Sequence, residues 1–316
     1  MQLVVALVLL IAGILLGAFV TRSRREGLGL PLLLAGGWLA IAFAAGDDPG
    51  GDPGGDNYLL AATGLVALIP LAGGGNSSDA SRAWTARLAA AGTAILLLAL
   101  FHPDALTGAV AIVGFIAVAI AMVAFIAAGT ETNRVAGVSG AQLACVLLGV
   151  AALGIDRLLW GAAINLPVLM AGLLLGMLIM SVGGKTMPAA AQDATSVLTA
   201  WLLGDLALQG HWVPAAILAA PAALEIIIWL ATAANADRGP DRKEEDRPHG
   251  LYVEAASRGR EPRRMLMATF LAGIVTIVLA LGAARGETMA ALAGTLALMW
   301  MLQRYLWRLM PEKRRT

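Results

Sequence analysis

The chain has 316 residues, of which 59% are hydrophobic and 14% charged, with a net charge of +1. Soluble domains carry about 25% charged residues, so this composition, with a mean hydropathy of +0.78, excludes a soluble globular protein. It indicates an all-α, polytopic integral membrane bundle forming one transmembrane domain over residues 1–316, and it leaves no basic surface for nucleic acid.

A membrane-crossing helix needs about 20 apolar residues, and a backbone in lipid must satisfy its hydrogen bonds internally. Apolar runs meet this requirement near 2–21, 29–45, 57–73, 83–101, 106–128, 135–154, 164–183, 194–209, 212–235, 264–284 and 287–307. The first run has no basic residues ahead of it and no small-residue cleavage site, so it reads as a retained span rather than a signal peptide. Between the second and third, residues 46–57 set four aspartates among glycines and prolines. Their spacing fits no calcium loop, and the segment reads as a solvated turn. Cys145 is the single cysteine, which excludes an intrachain disulfide and reads as a small buried hydrophobe. The eighth and ninth runs are parted only by Gly210 and His211, which implies a hairpin. A charged loop, 236–263, separates the ninth run from the tenth.

The basic residues orient this scheme, because cytoplasmic loops are enriched in Lys and Arg. With about eleven spans and the N-terminus outside, 20 of the 22 basic residues fall on the cytoplasmic side, the C-terminus among them. Only Arg157 and Arg285 fall outside. The loop 236–263 is then cytoplasmic.

Four cytoplasmic stretches, taken in order, resemble the polyprenyl-phosphate N-acetylhexosamine-1-phosphate transferase superfamily. They are LVALIPLAGGGNSSDASRAWTARLAAAGTAILLL, VAFIAAGTETNRVAGVSGAQLACVLLG, GKTMPAAAQDATSVLTAWLLG and DRPHGLYVEAASRGREPRRM. The resemblance implies a bundle in a bacterial cytoplasmic membrane, a Mg²⁺-dependent transfer of a sugar phosphate to a lipid phosphate, and a tendency to dimerise. The positions that carry this chemistry in the family are mostly changed. Gly74 and Gly75 stand at its paired aspartates, and Val123, Ile126, Gly129 and Thr132 at its Asn and Asp-Gly positions. His249 alone matches its histidine cluster, with Leu251 and Tyr252 at the other two sites. Asp193 and Ser196 match its Gly-Asp-x-Gly-Ser pattern.

Such a transfer gathers several negative charges and needs a divalent ion with hard oxygen ligands and a carboxylate. Asp193 and Glu131 are the acids left to hold Mg²⁺, and Asp193 and His249 those left for catalysis. Asp79 and Asp193 each read alternatively as a helix N-cap. Lys185, Arg258, Arg260, Arg263, Arg264 and Glu225 are the candidates for substrate binding, since arginines fork onto phosphate and basic residues also attract anionic headgroups. Charges inside spans are costly, which singles out Asp205 toward the outer end of the eighth span and Glu225 in the ninth. Glu225 needs a hydrogen-bonded partner, a wet cleft or a proton. The expectation is a degenerate transferase-like protein that binds polyprenyl phosphate or partners an active paralogue, as a homodimer or heterodimer. The alternatives are an active enzyme with a rearranged site on Asp193, Glu131 and His249, and a transporter or lipid flippase with Asp205 and Glu225 along its path.

Overall fold

A computed structural model describes residues 2–22, 80–132, 138–157, 165–182, 189–235, 250–257 and 261–307. All regular structure among them is helical. In chain order it comprises α1 (Gln2–Arg22), α2 (Ala80–Phe101), a 3₁₀ turn (Pro103–Leu106), α3 (Ala109–Thr132), α4 (Val138–Arg157) and α5 (Asn165–Val182). These are followed by α6 (Ala189–Leu206), a π turn (Ala207–His211), α7 (Trp212–Asn235), the short α8 (Leu251–Ser257), α9 (Pro262–Ala284) and α10 (Thr288–Trp307). Three helical stretches are long and apolar enough to cross a membrane: Ala109–Ala128, Asp193–Ala234 and Pro262–Ala284. Shorter apolar helices run through 7–18, 84–100, 140–154 and 167–179. The expected runs 29–45 and 57–73, the aspartate-rich segment 46–57, Gly74, Gly75 and Asp79 lie outside the described residues.

The stretch 193–234 has 42 residues, about 63 Å if straight and twice the hydrocarbon thickness. It folds back instead. Gly210 takes φ +93°, inside the π turn, a conformation that costs a residue with a Cβ but not glycine. The neighbours confirm the reversal. Along α6, Gly204 faces Leu98 of α2 and Met122 of α3, and α7 lays Ala215 and Ala219 beside the same part of α3. Further along α7, Ile228 joins Val138, Leu251, Met265 and Leu302 in a buried cluster. The hairpin expected at Gly210-His211 is present, and α2, α4, α6 and α9 run opposite to α3, α7 and α10. The bundle therefore has two distinct ends. One holds Asp193, Ile228 and the start of α9; the other holds His102, Asp205 and the π turn.

Helices α1 and α5 pack in parallel through two small-residue pairs. Gly13 and Gly17 of α1 meet Gly172 and Gly176 of α5, and a Cβ on any of the four would overlap the backbone of the facing helix. Each pair is a Gly-x-x-x-Gly repeat, the spacing that lets helix backbones touch in membranes.

The loop 236–263 does not run wholly outside the bundle. Residues 250–257 enter it, with Gly250, Leu251, Tyr252 and Ala255 buried. Leu251 and Tyr252 belong to the apolar cluster of Val138, Ile228, Met265 and Leu302. Tyr252 also accepts a hydrogen bond from Thr269 Oγ1 of α9 at 3.1 Å. Leu251 and Tyr252 are thus core residues.

Candidate functional site

Helices α2 and α6 run side by side, and their polar residues meet near one end of the bundle. Arg87 Nη2 donates to Asp193 Oδ2 at 2.9 Å, with the two side chains only 13% and 3% exposed. The guanidinium also lies over the Trp84 ring, 5.7 Å from its centroid, which adds cation–π attraction. Asp193 is the fifth residue of α6, well past the helix start, so the N-cap reading is corrected. Its carboxylate neutralises an arginine from the neighbouring helix. Ser196, one turn further on, is buried with it. Arg87 Nε and Ser196 Oγ are buried and meet no hydrogen-bond partner among the described residues, so this cluster retains two unspent polar groups.

The second polar locus at this end is Glu225 of α7. Its side chain is fully buried, and its Oε2 accepts the backbone N–H of Leu251 at 2.8 Å. The carboxylate thus occupies the start of α8, where helical N–H groups have no intrahelical acceptor. It comes so close to Gly250 that a Cβ there would overlap the carboxyl group. Glu225 also lines a cavity of about 150 Å³ with Trp84, Ala128 and Trp229. A hydrogen-bonded partner of Glu225 is thus the re-entering segment itself, 26 residues later.

At the opposite end Asp205 is completely buried. Its two oxygens lie 2.8 Å from His102 Nε2 and 2.8 Å from Gln209 Nε2, the latter donating one turn along the chain. The sequence flagged Asp205 as a charge needing company but gave no sign of His102, 103 residues away. Only the parallel packing of α2 and α6 brings them together.

The remaining candidates are dispersed. Arg263 and Arg264 are exposed in the first turn of α9, where Arg264 Nε lies 3.3 Å from Glu261 Oε2. Glu131 belongs to the last turn of α3. Lys185, His249, Arg258 and Arg260 lie outside the described residues. Among the described residues no cluster of three or more His, Cys, Asp or Glu is placed to hold a metal ion. Cys145 is buried against the Gly273 backbone of α9, in keeping with a packing role. No family model, curated protein or solved structure matches the chain.

Proposed function

We propose that this chain is a non-catalytic relative of the polyprenyl-phosphate sugar-1-phosphate transferases. It spans a bacterial cytoplasmic membrane about eleven times, with the Asp193 end facing the cytoplasm, and holds polyprenyl phosphate, alone or as the partner of an active paralogue. The observation that carries this reading is the Arg87–Asp193 pair, since the one acid matching the family's Gly-Asp-x-Gly-Ser pattern spends an oxygen on a buried guanidinium at 2.9 Å. A carboxylate neutralised in this way is poorly disposed to serve as a metal ligand or base. The fixed bond from Glu225 to Leu251 and the burial of Leu251 and Tyr252 support the same view, because these two residues, set against imidazoles by the resemblance, pack as core. The unspent Arg87 Nε and Ser196 Oγ support retention of an anionic headgroup, to which a guanidinium bonds with charge assistance.

The test uses full-length protein in nanodiscs, given undecaprenyl phosphate, Mg²⁺ and a panel of UDP-N-acetylhexosamines, with UMP release followed over time. The expected result is no release above a protein-free blank, together with retention of undecaprenyl phosphate over the uncharged polyprenol in native mass spectrometry. Release that Asp193→Asn abolishes would establish an active enzyme and overturn the non-catalytic reading. Equal retention of phosphate and polyprenol would overturn the assignment of the lipid.

A further inference from the structure

Glu225 and Trp229 lie one turn apart on α7 and so share a face of that helix. Across from them α3 contributes Ala127 and α2 contributes Trp84, and all four residues line the cavity of about 150 Å³ at the Asp193 end of the bundle. The small alanine side chain leaves room that a larger residue would fill. Trp84 and Leu230, at 39% and 55% exposure, bring the wall of the cavity to the surface, whereas Glu225 has no exposed surface and lies at its depth. Among the described lining residues Glu225 is the only charged one.

We propose that this cavity binds a quaternary ammonium group. Two indoles and a carboxylate are the side chains that attract such a cation, the rings through their negative faces and the carboxylate through its charge. Trp84 already shows the attraction, since the Arg87 guanidinium lies 5.7 Å from its ring centroid. Asp193 neutralises Arg87 at 2.9 Å, so this guanidinium opposes a second cation only weakly. The size also agrees. A cavity near this volume holds a guest about as large as benzene, comparable to a nitrogen with its three methyls and the adjoining methylene.

Hydrogen bonding sets the selectivity. A primary ammonium brings N–H donors that must be satisfied. The side chains of the wall offer it one acceptor group, the buried Glu225, whose Oε2 holds the Leu251 amide. Donors left without partners away from water are costly. A quaternary ammonium has no donor to satisfy, and a buried carboxylate acts on it through a medium that screens little. The group belongs to the headgroup of a membrane lipid, entering from the side past Trp84 and Leu230, or to a free solute of the same chemistry. Nothing in this assignment depends on the function proposed above.

The experiment is equilibrium binding of radiolabelled choline to the full-length protein in detergent. Ethanolamine and dimethylbutanol, the uncharged carbon isostere of choline, serve as competitors. Choline should bind saturably and be displaced by tetramethylammonium, with little displacement by either competitor at equal concentration. Trp84→Leu and Trp229→Leu should each weaken binding by about tenfold. Glu225→Gln, which keeps an acceptor for Leu251, should weaken it by about tenfold or more, and Ala127→Leu should fill the cavity and abolish it. Amide exchange across α2, α3 and α7 verifies that each variant is folded, and if one is not, the others decide. In nanodiscs holding phosphatidylcholine and phosphatidylethanolamine together, native mass spectrometry separates the two carriers. Retention of phosphatidylcholine over phosphatidylethanolamine would assign the lipid headgroup, and choline binding without such retention would assign the free solute. Equal displacement by dimethylbutanol, or choline binding unchanged in the folded variants, would overturn the ammonium assignment. Binding of neither choline nor phosphatidylcholine would overturn the site, and UMP release or its absence would leave each of these outcomes unchanged.

Discussion

The Glu225 carboxylate accepts the Leu251 amide at 2.8 Å from a position that only a glycine at 250 leaves open. The membrane-embedded acid and the re-entering segment are therefore one structural unit. Gly250→Ala should push the segment out, and Glu225→Ala should strip its first amide of a buried acceptor. Each should cost about 1–3 kcal/mol and appear as faster amide exchange confined to 250–257. Glu225→Gln keeps an acceptor oxygen and should show the smallest change of the three. Unaltered exchange in the Ala variants would show that the contact holds nothing in place.

Arg87 and Asp193 form a buried pair, and such pairs cost most when half is removed. Asp193→Ala leaves a guanidinium with its carboxylate gone and should lower stability by about 3–5 kcal/mol. The double change Arg87→Leu with Asp193→Leu should lose less than half of that. A double-mutant cycle read by reversible unfolding in detergent measures the coupling. Additive losses would mean that the two charges stabilise the bundle independently.

Gly17→Leu and Gly176→Leu each place a side chain where the facing backbone already lies. Overpacking of this kind costs about 1–3 kcal/mol, and it should free α1 while leaving the rest of the bundle folded. Amide exchange along 2–22 should then rise without change in α9 or α10. A uniform rise across all helices would show instead that α1 is integral to the core.

Burial pushes the Tyr252 phenol above its usual value of 10.0, with the Thr269 hydrogen bond opposing it. The folded protein therefore holds this proton after the unfolded chain has released it. The stabilising effect is complete below about pH 10 and declines at higher pH by about 1.4 kcal/mol per unit. Tyr252→Phe should remove this alkaline component, to be checked by unfolding at pH 9.5 and 11. An identical alkaline decline in the variant would assign it to other groups.

The helical framework was legible in the sequence because its signals are local. Apolar runs and their breaks placed α1–α7, α9 and α10, and Gly210-His211 marked the hairpin. The re-entrant α8 escaped because seven residues flanked by charge read as loop, and its apolar Leu251 and Tyr252 find their surface only in the folded bundle. The charge partners escaped for a related reason. Arg87 meets Asp193 across 106 residues and His102 meets Asp205 across 103, separations that no spacing rule reaches. The Gly-x-x-x-Gly repeats at 13–17 and 172–176 were visible, but glycine is common throughout this chain, and only the facing helix distinguishes these four.

The parallel packing of α1 on α5 sets an order of events during synthesis. Among the described residues α5 is the only helix on which α1 packs extensively. Its partner is complete only when residue 182 has been made, 160 residues after α1 ends at Arg22. At translation rates of about 5–20 residues per second, α1 waits roughly 8–30 s before the glycines that meet Gly13 and Gly17 are in place. Anything else in the membrane that presents a small-residue face competes for α1 during that interval, so quality control of this protein begins with α1 and ends with α5.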